Sequence, residues 1–186
     1  MIFEPTNLVD CYKMSPKVFE DSRGYFFESF NSSLLTQATG LTTNFVQDNQ
    51  SKSSYGVLRG LHLQTGESAQ AKLVRAIEGE ILDIVVDLRP ESSSFKQHFS
   101  CVLSAENKTQ LFVPKGFAHG FIVLSEFATI HYKADNYYNP NAESGIIFND
   151  KDLNIDWQVS PEDIVTSDKD LHLPTMSNFI ASQFNK

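Results

Sequence analysis

The stretch Val57-Leu58-Arg59-Gly60-Leu61-His62-Leu63-Gln64 decides how the rest of the chain is interpreted. Its apolar residues alternate, which predicts a β-strand with one face in a core. Strict alternation puts Gly60 and His62 on one face and Arg59 and Leu61 on the other. A bulge near Gly60 would instead turn Arg59 to the histidine side, because glycine within a strand often marks such a site. The strand is either functional or a structural one whose histidine bonds to a backbone carbonyl.

Composition and charge limit the classes to which the chain can belong. With 186 residues, 41% of them hydrophobic, and 15 phenylalanines, we expect one globular domain, 1–186, with 158–186 as a looser C-terminal segment. The net charge of −8 gives no basic surface, so we expect neither nucleic acid nor a membrane as partner. Cys11 and Cys101 lie far apart and no basic-then-apolar leader precedes them, which predicts reduced thiols in the cytoplasm, with a single disulfide left open.

Short strands separated by turns dominate the chain. Strands are predicted at 25–30, 45–49, 72–77, 81–88, 99–103, 109–113, 121–124, 128–134 and 145–148. A helix is predicted at 31–40, with Asn31 or Ser32 as its cap and Gly40 as its end, and one more short helix after Ser160. This pattern predicts an all-β jelly roll with a few short helices. An immunoglobulin-like sandwich fits less well, because polar groups recur on otherwise apolar strands.

Three further positions carry side chains that could do chemistry in an interior. The turn that begins at Pro114 presents His119 at the start of a strand. Alternation along 130–134 turns Tyr132 inward, where its hydroxyl needs a partner or a ligand. Lys72 is predicted to be a buried cation, unless its strand is turned over and Arg75 takes that place. Taken one at a time, each position is also compatible with a structural role.

The turn reads Pro-x-Gly-x-x-His, which resembles the second motif of cupins, small β-barrels of jelly-roll type. Metal-binding cupins carry a His-x-His pair in their first motif, and here the corresponding positions read His62-Leu63-Gln64. With that pair broken, three or four good ligands cannot be assembled from these positions. A metal-dependent cupin is therefore disfavoured, and we expect no metal.

More specifically, the chain resembles the dTDP-4-dehydrorhamnose 3,5-epimerase family of metal-free cupins. Collinear matches run from Lys17 to Trp157, and more faintly over 167–170. They comprise FEDSRGYFFESFN, FVQDNQSKS, VLRGLHLQ, AKLVRAIEGEILDIVVDLR, LSAENKTQLFVPKGFAHGF and YKADNYYNP. The resemblance implies a cupin-type barrel that inverts C-3 and C-5 of a dTDP-linked 4-keto-6-deoxysugar without a cofactor. It also implies a homodimer in which a partner's N-terminal strand helps to close the nucleotide site.

The resemblance further assigns roles to individual residues. It implies that His62 is the base, oriented by Asp170 (with Asp83 as second choice), that Tyr132 is the acid, and that Lys72 stabilises the enolate oxygen. The implied substrate-binding residues are Arg23, Glu28, Gln47, Asp48, Asn49, Arg59, His119, Glu143 and Lys169. Among them, Arg23 and Arg59 suit the diphosphate. Tyr138 (or its neighbour Tyr137) is added as a substrate-binding residue because an aromatic ring suits stacking on the base.

Two other functions remain open on the sequence. One is a relative that inverts a single carbon or isomerises the ketone, because loops around the same base and acid decide which carbons are presented. The other is a non-catalytic cupin that binds a nucleotide sugar without turning it over.

Overall fold

Two antiparallel sheets packed face to face form the body of the protein. The computed structural model describes residues 1–184. Its strands are β1 (Ile2–Pro5), β2 (Tyr12–Ser15), β3 (Phe19–Asp21), β4 (Gly24–Phe26), β5 (Gln47–Ser54), β6 (Leu58–Gln64), β7 (Lys72–Glu78), β8 (Glu80–Asp87), β9 (His98–Ser104), β10 (Gln110–Val113), β11 (Phe117–Val123), β12 (Phe127–Ala134) and β13 (Glu143–Gly145). Its α-helices are α1 (Ser32–Thr39), α2 (Asp168–Leu171) and α3 (Met176–Phe184).

The order of the strands is that of a jelly roll. One sheet has six strands in the order β1-β2-β10-β7-β12-β5, and the other has five in the order β13-β6-β11-β8-β9. Apart from β1-β2 and β8-β9, neighbouring strands are not consecutive in sequence, as expected when the chain crosses repeatedly between two sheets. The prediction of an all-β, cupin-type jelly roll is confirmed. Strands β3 and β4 form a separate two-stranded hairpin.

The five-stranded sheet is buried on both faces. Val85 and Phe121 face the six-stranded sheet and pack there with Val74 and other apolar residues. Ile84 and its neighbours on the opposite face pack under the C-terminal segment, which contributes Phe179. This double burial explains why β8 is apolar at every position from Ile81 to Val86 except Asp83.

Helix α1 covers part of the outer face of the six-stranded sheet, and its ends are as predicted. The Asn31 side chain accepts a hydrogen bond from the Leu34 N–H (3.2 Å), and Gly40 ends the helix in the left-handed region with φ = +74°. Leu35 packs in a small core with Phe112. The helix therefore begins and ends through local side-chain and glycine chemistry.

Several predicted boundaries are wrong. The strand predicted at 25–30 ends at Phe26, and the one predicted at 45–49 runs instead over 47–54. The latter is a sheet edge, so its polar residues pair with β12 on one side only and need no apolar alternation. The tail holds two helices, α2 and α3, rather than one. In the described part of the chain, no helix has the length and apolar character needed to cross a membrane.

Both cysteines are free. Burial raises the pKa of the Cys11 thiol to about 12, and burial likewise raises the pKa of Cys101. Both thiols therefore stay protonated at neutral pH, and they pack as small apolar groups in the core between the sheets.

Candidate active site

A cleft of about 660 Å³ opens at the barrel interior, between the two sheets and the C-terminal segment. Eight of the predicted site residues line it, namely Asn49, Arg59, His62, Lys72, His119, Tyr132, Lys169 and Asp170. They come from both sheets and from α2, so residues scattered over most of the chain share one cavity.

A bulge in β6 brings Arg59 and His62 to the same side. In the pairing of β6 with β11, His62 lies opposite His119 and Arg59 lies opposite Phe121, so β6 has one extra residue between these pairs. Strict alternation is therefore wrong here, and the bulge is present. The strands approach closely at this point: a Cβ on Gly60, whose φ is +121°, would lie 2.5 Å from the backbone of the facing strand. Only glycine fits there.

His62 is paired with Asp170. Its Nε2 lies 2.6 Å from the Asp170 Oδ1, and the Gly60 N–H donates to the other carboxylate oxygen (3.3 Å). Burial alone would raise the pKa of Asp170, but the hydrogen bond from His62 holds that pKa below its ordinary value. The carboxylate is therefore ionised near neutral pH and can only accept, so Nε2 carries the hydrogen. Nδ1 is left as the nitrogen that can take up a proton.

Asp170 reaches the cleft because the C-terminal segment pairs with the start of β6. The Leu58 N–H donates to the Val165 carbonyl (2.8 Å), and the Val165 N–H donates to the Gly56 carbonyl (2.9 Å). Ser167 then caps α2 by accepting the Asp170 N–H (3.1 Å). These bonds fix the carboxylate against His62.

His119 forms a second histidine–carboxylate pair, with Asp83. Its Nε2 lies 2.8 Å from the Asp83 Oδ1, and both side chains are almost fully buried. Asp83 was the alternative partner for His62, and that alternative is wrong. Its other oxygen has no hydrogen-bond partner among the residues that the structure describes. His119 also lies inside β11 rather than in the turn before it.

Lys72 and Tyr132 face the cleft together. The Lys72 ammonium lies 5.8 Å from the centre of the Tyr132 ring. Burial lowers the pKa of Lys72 to about 8, although the carboxylates of Asp83 and Glu143 oppose this. Burial also raises the pKa of Tyr132, which keeps the phenol protonated. The prediction that Lys72 is the inward cation is confirmed, because Arg75 lies against Phe27 on the outer face of the sheet.

Three of the predicted residues lie at the rim of the cleft. The Tyr138 hydroxyl donates to Glu143 (2.5 Å), and Glu143 pairs with Lys169 (2.6 Å). Burial would raise the pKa of Glu143, but the hydrogen bonds from Lys169 and Tyr138 lower it. Gln47 joins this group by accepting the Tyr138 N–H (3.1 Å).

Three other predicted residues lie away from the cleft. Arg23 is 87% exposed in the β3–β4 hairpin and pairs with Asp21. Glu28 follows that hairpin and accepts a hydrogen bond from Asn31 (3.2 Å). Asp48 lies on the outer face of β5 and pairs with Lys133 (3.0 Å), because alternation turns it away from its cleft-facing neighbours.

The structure adds residues that the sequence reasoning missed. Ser53 accepts a hydrogen bond from the Arg59 Nε (3.2 Å), and Thr166 and Ser167 line the cleft beside Asp170. The pattern Ser-x-x-Asp at 167–170 is a helix-capping signal that could have located α2. Within residues 1–184, no three or more His, Cys, Asp or Glu side chains are arranged to hold a metal ion.

Comparison with known proteins identifies the family. A family model described as dTDP-4-dehydrorhamnose 3,5-epimerase matches residues 5–178. The chain belongs to this family. A relative from Salmonella typhimurium, named dTDP-4-dehydrorhamnose 3,5-epimerase, is 48% identical over 98% of this chain and 100% of its own length.

Solved structures of the epimerase family superimpose closely on this chain. The crystal structure of dTDP-4-dehydrorhamnose 3,5-epimerase from Elizabethkingia anophelis has a TM-score of 0.93 and 53% identity, and covers 96% of this chain and 97% of its own. A Legionella pneumophila 3,5-epimerase in complex with dTDP-4-keto-L-rhamnose has a TM-score of 0.90 and 42% identity, with coverages of 95% and 93%. The family resemblance of the sequence is therefore confirmed.

Proposed function

We propose that this chain inverts C-3 and C-5 of dTDP-4-dehydro-6-deoxy-D-glucose to give dTDP-4-dehydro-L-rhamnose, a step of dTDP-L-rhamnose biosynthesis. The observation that carries the proposal is the meeting of the His62–Asp170 pair with Tyr132 and Lys72 in one cleft. Membership of the epimerase family supports the same reaction.

The 4-keto group of the substrate makes this chemistry accessible, because it acidifies the hydrogens on both flanking carbons. Inversion needs a base that removes a proton from one face and an acid that returns one to the other. His62 is the base: Nδ1 takes the proton from carbon, while the ionised Asp170 stabilises the imidazolium that forms. The electron pair left on carbon moves to the ketone oxygen, which becomes an enolate.

Lys72 and Tyr132 complete the cycle. The Lys72 ammonium stabilises the negative charge that develops on the enolate oxygen, and one such group is commonly worth about 3 kcal/mol of barrier. Tyr132, kept protonated by burial, donates its phenolic hydrogen to carbon from the opposite face. Proton exchange with water then resets Tyr132 and His62.

The nucleotide is held by side chains around the cleft. The chain carries a net charge of −8, so the diphosphate needs local cations, and Arg59 and Lys169 supply them. Asn49 and His119 line the same cleft and are assigned to substrate binding. Gln47, Tyr138 and Glu143 contribute from the rim.

We infer that the protein is a homodimer in which each chain completes its partner's site. The β3–β4 hairpin exposes Phe19, Tyr25 and Phe26, which are 54%, 61% and 69% exposed, so a large apolar surface is available for burial. Strand β5 is the edge of its sheet and borders the cleft, so it can pair with a partner's strand. In that arrangement Arg23 and Glu28 approach the nucleotide of the other chain.

Complementation between two inactive variants tests the dimer. In a co-expressed mixed dimer of Arg23→Ala with His62→Ala, one of the two sites combines an intact His62 with the partner's intact Arg23. Activity should therefore return in the mixed dimer, up to half that of the wild type. Activity absent from the mixed dimer, or a monomer by light scattering, would contradict the arrangement.

Isotope exchange in D₂O tests the reaction. With dTDP-4-keto-6-deoxyglucose, proton NMR should show the C-3 and C-5 signals fade as deuterium enters, and His62→Ala should abolish this without unfolding the protein. Deuterium at one carbon only would identify a mono-epimerase, and a product with the ketone moved would identify an isomerase. If the wild type exchanged no hydrogen, the result would support the alternative of a non-catalytic cupin that binds a nucleotide sugar.

We also propose that the chain forms one cupin domain, since residues near both ends of the described part, Leu8 and Phe179, contribute to its cores. The last two residues of the predicted domain, 185 and 186, lie outside the part that the structure describes. The two free thiols support the cytoplasm as its compartment.

A further inference from the structure

Gln64, the last residue of β6, is almost fully buried but is not part of the cleft wall. Its side-chain oxygen accepts the Asn139 N–H (2.6 Å), and its side-chain nitrogen donates to the Tyr137 carbonyl (3.5 Å). One carboxamide therefore bonds to the main chain immediately before and immediately after Tyr138.

Tyr138 is held from a second direction by Gln47, which accepts its N–H (3.1 Å). Its hydroxyl donates to Glu143, and Glu143 pairs with Lys169 of α2. Lys169 precedes Asp170, the carboxylate bonded to His62. A continuous series of bonds thus leads from Gln64, through Tyr138 and the rim, to the helix that carries the partner of His62.

Other bonds hold the rest of the same loop. Asn136 donates from its side chain to the Glu67 carbonyl (2.9 Å), and Gln70 donates to the Asn136 carbonyl (2.7 Å). The Asn139 side chain donates to the Ser68 hydroxyl (3.0 Å). These contacts fix the ends of the loop without involving the two peptide groups that flank Tyr138, so losing Gln64 should loosen Tyr138 and leave the loop attached.

We propose that Gln64 is a positioning residue of the nucleotide-sugar site, which holds Tyr138 at the rim in the orientation that meets the dTDP moiety. Gln64 touches no substrate and acts through the two peptide groups that flank Tyr138, by its bonds to the Tyr137 carbonyl and the Asn139 N–H. Because Tyr138 is a dTDP contact only under the function proposed above, the effect on affinity rests on that proposal, whereas the effect on the loop does not.

The loop is tested first, by amide hydrogen exchange followed by NMR. Gln64→Met keeps the length of the side chain but removes both bonds, so the Asn139 amide should exchange at least tenfold faster, on the scale of one or two lost hydrogen bonds. The matched control is Gln70→Met, which removes a bond to the same loop but leaves the Asn139 amide bonded to Gln64. Unchanged Asn139 exchange in Gln64→Met, or an equal acceleration in Gln70→Met, would overturn the proposal.

Affinity is tested by calorimetric titration with dTDP in a double-mutant cycle with Tyr138→Ala. Gln64→Met should weaken dTDP binding roughly tenfold in the otherwise wild-type chain and less than twofold in the Tyr138→Ala background. The control variant Gln70→Met should change the affinity for dTDP less than twofold. Equal losses in both backgrounds would mean that Gln64 does not act through Tyr138.

The two proposals fail separately. A wild-type protein that binds no dTDP and exchanges no carbon-bound hydrogen refutes the proposed function. In that case the rate of Asn139 amide exchange still tests whether Gln64 holds the loop. Normal epimerisation with unchanged Asn139 exchange in Gln64→Met refutes the positioning role and leaves the function intact.

Discussion

Replacing Lys72 by methionine should make the protein more stable while removing its activity. The Lys72 ammonium is largely enclosed in the cleft, and burial lowers its pKa from 10.5 to about 8. Below this pKa the charged lysine therefore lowers the free energy of unfolding, because the ammonium is desolvated in the folded state and hydrated in the unfolded chain. Methionine keeps a similar length and volume without the charge.

The size and the pH dependence of this effect follow from the two pKa values. The difference between 10.5 and about 8, at about 1.4 kcal/mol per pH unit, corresponds to roughly 3 kcal/mol. The wild type carries the full cost at pH 7, below both values. Between pH 8 and 10.5 the folded protein releases this proton while the unfolded chain still holds it, so wild-type stability rises through that window.

Urea unfolding at a series of pH values provides the assay. Lys72→Met should unfold at a higher urea concentration than the wild type at pH 7, and the advantage should shrink steadily towards pH 10. The control is Lys133→Met, which removes an ammonium paired with Asp48 (3.0 Å) on the outer face of the sheet and should bring no such gain. A Lys72→Met protein no more stable than the wild type at pH 7, or an advantage independent of pH, would refute the reasoning.

The same pKa predicts that wild-type kcat/KM falls above about pH 8, where Lys72 loses the charge that stabilises the enolate; a flat profile to pH 9.5 would exclude that role. Asp170→Asn should lower kcat roughly 10²–10⁴-fold with an unchanged circular dichroism spectrum, whereas Asp168→Asn, in the same helix, should leave kcat unaltered. Tyr132→Phe should slow product formation more than it slows deuterium uptake into recovered substrate; undiminished epimerisation would disprove Tyr132 as the acid. Gly120→Ala should destabilise the protein by about 1–3 kcal/mol in urea, because its Cβ would lie 2.7 Å from the Arg59 carbonyl oxygen.

The sequence predicted the interior of the barrel well where side-chain alternation is regular. In β12 the alternation turns Tyr132 inward, and the structure agrees. In β7 it left a choice between Lys72 and Arg75, which the pairing with β12 resolves in favour of Lys72. A period-two pattern shows which residues share a face of the strand. Which of the two faces is buried depends on what packs against the strand.

The bulge at Gly60 is a case where the local sequence allows two answers. A glycine in a strand signals a bulge only weakly, and here the second glycine, Gly120, lies on the facing strand. The close approach of the two backbones needs both residues. Neither stretch of sequence alone contains that information.

The partners of the two histidines could not be derived from the residues alone. His62 and Asp170 are separated by 108 residues, and His119 and Asp83 by 36, so the pairing depends on the crossing of the sheets and on the path of the tail. The family resemblance nominated Asp170, and the geometry supports that pairing. The exposure of Arg23 and Glu28 likewise follows from the hairpin's departure from the body, which local pattern does not encode.

The distance along the chain between His62 and Asp170 has a consequence during translation. The imidazole leaves the ribosome 108 residues before the anion that orients it, and α2 can cap and dock only after that later segment has been synthesised. A nascent chain thus exposes its barrel strands long before it can deprotonate a sugar. Competence for turnover therefore arrives only once the segment that carries Asp170 has emerged and docked beside His62.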